Sequence, residues 1–411
     1  MASQSATGPD TLRAGTARTD ITPTEPVTLA GYGSRKGLSQ GVHDPLSARV
    51  VAFEQDGNRL VLVSTDVLGF YGGTADSIRK AILTACGLQP SELFLTAIHT
   101  HSAPTVTLDA EKQPANNVEY TKTLEARLVD VVREALARLV PAQVGVGSGS
   151  SPVGVNRREV VLDSVGSRKV CLGRNPGVLT DREVQVLNVS HAGTGERAAA
   201  VFAYPTHSTS MGPGNYIVSG DIHGLAEQFL ESYLGGGVLA SGLAGASGDI
   251  DPWYRVLPEF RTANGWVPEA VLMGTMLGEE VAHVLNGIRN SSAKGPIATA
   301  FRTLELPGKP SAEADAAAAR ETVEFNLTVG RVADVAFVGL GGEVFNQIGR
   351  AIKTASPFPD TFVITHCNGA AGYLPTSQSY PDGGYEITTS PFAPAAAEQV
   401  IQEATRMLRE L

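Results

Sequence analysis

The chain has 411 residues, of which 42% are apolar and 18% charged, enough for one large domain with polar groups buried inside it. That balance excludes disordered and fibrous classes. Lys and Arg number 32 against 42 Asp and Glu, a net charge of −10, and no basic stripe could follow a phosphate backbone, which argues against nucleic acid as a partner. Cys86, Cys171 and Cys367 are too few and too scattered for a disulfide framework or a zinc knuckle, and read as reduced core thiols. Residues 1–10 are small and polar and read as a flexible tail. With no apolar run of export or spanning length, the chain is expected to be cytoplasmic, without integral membrane association.

Short apolar runs rich in Val, Leu and Phe alternate with amphipathic segments, the pattern of an α/β fold with mixed β-sheets flanked by helices. In chain order, residues 60–64 read as a buried strand and 74–85 as a helix, with Thr74 at its N-cap and Gly87 just past its end. A strand follows at 93–98, then a long helix at 120–139 closed by Pro141. Residues 145–154 read as a Gly-rich loop. Strands at 183–189 and 198–203, a helix at 222–233, a strand at 238–243 and a helix at 268–285 come next. The last third predicts a helix at 312–322, a strand at 335–340, a helix at 343–355, a strand at 362–365, a loop at 377–384 and a helical tail at 395–411. No repeat or linker divides residues 11–411, which are expected to form one domain.

Four places just past strand ends carry residues suited to chemistry, where α/β folds gather their ligands. The first is His99-Thr100-His101. Such a pair arises by chance about 0.15 times in a chain with this histidine content, and in extended backbone the two imidazoles project to one side. Two satisfied loop histidines are the plainer alternative. The second is His207, within 204–211, weak evidence when taken by itself. The third is 245–252, where glycines admit a ligand and Asp249 and Asp251 could act as bases or ligands, or form an ordinary Asp-Pro turn. The fourth is Gly341-Gly342-Glu343, where a helix dipole alone would account for Glu343. Downstream, Tyr373 and Tyr385 each follow a glycine, a setting in which tyrosine usually packs.

In this order the motifs resemble those of the neutral/alkaline (non-lysosomal) ceramidase family, zinc-dependent amidases that cleave the N-acyl bond of ceramide. The resemblance starts at Leu29-Ala30-Gly31-Tyr32-Gly33, Gly41-Val42-His43 and Val63-Ser64-Thr65-Asp66. It continues through His99-Thr100-His101-Ser102, Asn156-Arg157, 205–211, Ser219-Gly220-Asp221, Gly248-Asp249-Ile250-Asp251-Pro252 and Gly342-Glu343. It ends at Gly372-Tyr373 and Tyr385-Glu386, so nearly the whole chain is covered. The resemblance implies a ceramidase-like catalytic domain with Zn2+ held by His99, His207, Glu343 and Tyr373, a mixed nitrogen and oxygen set that leaves a position for water. His101, Arg157 and Tyr385 match residues that orient a carbonyl or stabilise an oxyanion. The implied activity is hydrolysis of the C–N amide bond of an N-acyl amine by a zinc-activated water.

Two departures from the family pattern alter that expectation. Where the family's ceramidases carry a serine described as the nucleophile, this chain has Asp251, for which a general base or an anchor for a substrate amine is the expected role. Ser247 does not restore a nucleophile elbow. The family's C-terminal immunoglobulin-like domain is also expected to be absent, and on that expectation a smaller soluble amide comes ahead of a bilayer lipid. Acyl transfer or ring closure in a biosynthetic pathway, and a non-catalytic zinc-binding homologue, remain as alternatives.

Overall fold

The structure, a computed structural model, describes residues 11–253, 268–309 and 322–411. The strands are β1 (Arg13–Asp20), β2 (Ser47–Gln55), β3 (Asn58–Thr65), β4 (Leu93–Ala97), β5 (Val140–Ser150), β6 (Gly154–Asn156), β7 (Arg158–Leu162), β8 (Arg168–Leu172) and β9 (Glu183–His191). They continue as β10 (Arg197–Tyr204), β11 (Leu239–Ala244), β12 (Ile250–Pro252), β13 (Ile297–Pro307), β14 (Thr322–Val332), β15 (Val335–Leu340), β16 (Glu343–Val344), β17 (Asp360–Ile364) and β18 (Tyr373–Leu374). The helices are α1 (Thr74–Cys86), α2 (Ala115–Ala137), α3 (Asp221–Leu234), α4 (Pro268–Gly287), α5 (Asn346–Ala355), α6 (Tyr385–Thr389) and α7 (Ala396–Arg409).

Eight strands form a mixed sheet in the order β11-β10-β9-β5-β1-β2-β3-β4, and four form a second in the order β13-β14-β15-β17. Parallel pairs occur at β3/β4, β10/β11 and β15/β17. Each is bridged by a helix, α1, α3 and α5 in turn, because parallel strands need a long crossover. The two sheets pack face to face through a core that joins Leu60, Leu62 and Phe94 of the first to Phe337, Phe362 and Ile364 of the second. The other face of the large sheet is covered by α1 and α2 at one end and by α3 and α4 at the other. Helices α5 and α7 cover the second sheet. The layers therefore run helix, sheet, sheet, helix, in agreement with the sequence pattern. Burial on both faces is why β3, β4, β15 and β17 read as nearly continuous apolar runs.

Several local expectations need correction, each for a physical reason. Residues 145–150 are strand, not loop: β5 is rich in glycine because α4 and the residues after it lie against the strand. A Cβ on Gly145 would come within 2.7 Å of Ile288 Cγ2, and one on Gly147 within 3.1 Å of Val284 Cγ1. Gly73, not Thr74, is the N-cap of α1, and Thr74 Oγ1 instead donates to Tyr71 O at 2.7 Å. Glu343 lies in β16, ahead of a helix that begins at Asn346, which removes the helix-dipole account of it. Helix α2 starts at Ala115, five residues before the expected Tyr120. Strands β1 and β2 carry no uniform apolar run. Gly15 of β1 sits against the backbone of α2, and β2 holds a buried Arg49 paired with Asp66 at 3.3 Å and Glu231 at 3.1 Å.

All three cysteines are free, but only Cys367 is a core thiol; Cys86 and Cys171 are half-buried. The tail 1–10, the segment 254–266 and the helix expected over 312–322 lie outside the described residues, except Thr322, which opens β14. Among the described residues, no helix is long and apolar enough to cross a membrane.

Candidate active site

Five segments, each leaving the C-terminal end of a strand in a parallel pair, converge between the two sheets. They follow β4, β10, β11, β15 and β17, the ends at which α/β sheets present their side chains to a ligand. His99, two residues past β4, has a left-handed backbone with φ 60°, and its Nδ1 donates to Leu68 O at 2.7 Å. His207, past β10, donates from Nδ1 to Ser247 O at 2.7 Å, and Ile250 O lies at 3.0 Å. With Nδ1 protonated, each ring turns its Nε2 lone pair inward. His101 Nε2 stands 3.3 Å from His99 Nε2, with the two rings edge to face. It is the turn at His99, rather than the alternation of an extended chain, that brings the pair together. Gly31, with φ 95°, closes against His101, and a Cβ there would overlap the imidazole.

Glu343 reaches the same point because β16 and β18 pair in parallel, with Glu343 opposite Tyr373. Its Oε2 lies 3.5 Å from His99 Nε2 and 3.5 Å from His207 Nε2. That oxygen is buried and receives no hydrogen bond, whereas Oε1 accepts from Tyr71 Oη at 3.3 Å. Burial alone would raise the Glu343 carboxyl, but His99, His207 and His366 around it hold it well below the usual carboxylate range. Burial, then His99 and His207, keeps His101 well below the ordinary imidazole value, and burial, then Arg157, lowers His207. A buried carboxylate oxygen without a hydrogen-bond donor thus faces the Nε2 atoms of His99 and His207, an arrangement that a cation among them would satisfy. Spacings of 3.3–3.5 Å match the edges of a tetrahedron with bonds of about 2.0–2.1 Å. His99, His101 and His207 offer nitrogens within 4.8 Å of one another. The residues present therefore fit a metal ion.

Arg157, between β6 and β7, ties this centre to its surroundings. Its Nε donates to Glu386 Oε1 at 2.8 Å, Nη1 to Asp251 Oδ1 at 3.2 Å and Nη2 to Tyr373 Oη at 3.0 Å. Nη1 also lies 3.2 Å from His207 Nε2. Burial works against the Arg157 charge, but Tyr373, Asp251 and Glu386 more than offset it, and its pKa stays well above the ordinary guanidinium value. Asp251 is brought in by the antiparallel pairing of β12 with β6, and its second oxygen accepts from Arg174 at 3.3 Å. Tyr385 opens α6 at the rim: about half of it is exposed, and its ring meets Tyr373 edge to face at 5.7 Å.

The model of the neutral/alkaline non-lysosomal ceramidase family, N-terminal, matches residues 12–247, and the chain belongs to that family. The neutral ceramidase of Pseudomonas aeruginosa is 28% identical over 261 residues, covering 60% of this chain and 38% of that protein. The neutral ceramidase of Mycobacterium tuberculosis is 25% identical over 226 residues, 51% of this chain and 34% of that one. The chain thus spans well under two thirds of the length of these relatives. The crystal structure of the P. aeruginosa neutral ceramidase overlays 98% of this chain on 75% of that one with a TM-score of 0.80 at 19% identity, which shows a common fold.

All eight residues singled out from the sequence lie in this one region. His99, His101, His207, Glu343, Tyr373 and Arg157 form its buried heart, Asp251 joins it through Arg157, and Tyr385 stands at the edge. Sequence reasoning passed over Tyr71, which donates to Glu343, and His366, which stacks on His99 with centroids 3.8 Å apart. For His366 a signal existed: it directly follows the apolar run 362–365, the same position rule that points to His99 and His207.

Proposed function

We propose that this chain is a zinc-dependent amidohydrolase that cleaves the C–N bond of an N-acyl amine, ceramide-like or smaller and soluble. The observation that carries this reading is Glu343 Oε2, buried without a hydrogen-bond donor and 3.5 Å from two imidazole Nε2 atoms. His99, His207, Glu343 and Tyr373 would hold Zn2+, with His101 within reach of the same ion. Bound there, zinc would supply Lewis acidity toward a carbonyl oxygen and make a neighbouring water more acidic.

The chain's own groups complete the chemistry. Arg157 carries a permanent positive charge into a water-poor site, where it can stabilise negative charge developing on the amide oxygen. Burial, then Glu343, raises the Tyr385 phenol, so at neutral pH it keeps its proton and can donate to the same oxygen. Asp251 offers no hydroxyl for an acyl-enzyme, so water is the attacking group. Two guanidinium partners suit its carboxylate to fixing Arg157 more than to taking a proton. The test couples elemental analysis to turnover of a panel of N-acyl amines in 18O-labelled water. Hydrolysis puts solvent oxygen into the acid, and His207→Ala loses both metal and turnover. Activity retained by a metal-free His207→Ala protein would refute the zinc role. Unlabelled amide formed from an added amine would mark acyl transfer, and bound zinc without turnover would mark a binding homologue.

A further inference from the structure

His366 is fully buried, at 1% exposure, and neither ring nitrogen has a hydrogen-bond partner, a costly arrangement for a polar ring. Its ring lies 3.8 Å from that of His99, with planes only 12° apart. The backbone that holds it is constrained: His366 has φ 53° and Asn368 φ 58°, both in the left-handed region. Asn368 pins the segment to the strand that leads into His99, accepting from Leu95 N at 3.0 Å and donating to Leu93 O at 2.6 Å. Thr365 fixes the other side, donating from Oγ1 to Gly245 O at 2.8 Å. The two imidazoles are thus built into one rigid unit with β4.

A second ligand on the same ion is the obvious role for a buried histidine, but the stacking geometry opposes it. Imidazole lone pairs lie in the ring plane, so nearly coplanar stacking sends the lone pairs of His99 and His366 along parallel lines that do not converge on one ion. What the stack does provide is a wall. The Nδ1 bond to Leu68 O fixes the His99 ring at one atom, His101 and His207 meet it at right angles or nearly so, and His366 covers one face. A ring that binds a cation takes on part of its charge, and the π face of a neighbouring ring stabilises that charge.

We propose that His366 is a positioning residue for the metal ligand His99, acting through the stacked π face and not through its nitrogens. The inference rests on the metal reading above, and its test separates the two. Zinc dissociation constants would be measured by chelator competition for the wild type and for His366→Phe, His366→Leu and His366→Ala, together with the visible spectra of the cobalt-loaded proteins. Outer contacts of this kind are worth about tenfold or more in metal affinity. Alanine should therefore weaken zinc by about tenfold and shift the cobalt bands. Phenylalanine should stay within about threefold of wild type with an unchanged spectrum, and leucine, which fills space without a π face, should fall between them. If the alanine protein does not fold, the comparison of phenylalanine with leucine decides. Alanine equal to wild type, or phenylalanine no better than leucine, overturns the proposal while leaving the zinc reading intact. A wild type that binds no zinc overturns both.

Discussion

Arg157→Met tests how the buried charges share their load. Methionine keeps much of the stem but removes the guanidinium that donates to Glu386 at 2.8 Å, Asp251 at 3.2 Å and Tyr373 at 3.0 Å. Deleting one member of a buried ion pair costs about 3–5 kcal/mol, chiefly because the other charge is stranded. Neither carboxylate is stranded here: Glu386 keeps Arg158 at 2.8 Å and Asp251 keeps Arg174 at 3.3 Å. The loss should therefore fall at the low end, about 3 kcal/mol. With an unfolding entropy of roughly 2 cal/mol/K per residue over the whole chain, that corresponds to about 3–4 °C in Tm. Turnover should suffer far more, since removing one preorganised donor to a developing negative oxygen costs about 100- to 1,000-fold in kcat. Arg157→Lys separates charge from shape: one ammonium cannot span three acceptors, so it should recover stability but little turnover. Calorimetry and kcat on an N-acyl amine read both effects. A methionine variant with wild-type kcat, or a lysine variant as active as arginine, would refute the catalytic assignment. A Tm loss above about 10 °C would refute the sharing of load by Arg158 and Arg174.

Burial pushes the Asp249 carboxyl up to about 6 despite the bond it accepts from Asn346 N. The folded pKa exceeds the unfolded one, so the folded state holds this proton more tightly. Stability is gained as pH falls through about 6 toward 4 and does not change above that window. Wild type should accordingly gain about 2 kcal/mol relative to Asp249→Asn between pH 7 and pH 4, and urea midpoints that keep a constant difference would contradict it. Gly31→Ala forces a side chain onto the His101 ring from a left-handed backbone. It should cost about 1–3 kcal/mol and weaken metal retention; a variant with unaltered stability and metal content would show that His101 is not held by this contact. Chelation should lower wild-type stability by about 3 kcal/mol when metal had stood at 100 times its Kd, and should leave His207→Ala unaffected. A wild-type Tm indifferent to chelator argues against a bound metal.

What could be read from the sequence was what burial writes locally. Strands β3, β4, β15 and β17 are covered on both faces, and the histidines after β4 and β10 are legible because a polar residue must have a reason to follow such a run. Strand β5 was hidden because the helix lying on it demands glycine, and β2 because it houses Arg49. Glu343 and Tyr373 carried no local sign of their meeting, which depends on a two-residue parallel pairing across thirty positions of sequence. Asp251 shows the same limit from the other side. As a motif residue it stands out only as a departure, an aspartate where relatives are expected to have serine. One partner lies 77 positions earlier: Arg174 donates to Oδ2 while Arg157 donates to Oδ1. Three guanidinium groups, those of Arg157, Arg158 and Arg174, share two carboxylates, Asp251 and Glu386. Serine at 251 would remove the carboxylate that Arg157 and Arg174 both bond. The aspartate is therefore coupled to Arg174 as much as to the chemistry, and Asp251→Ser should be tolerated better when Arg174 is neutralised with it than when it is changed alone.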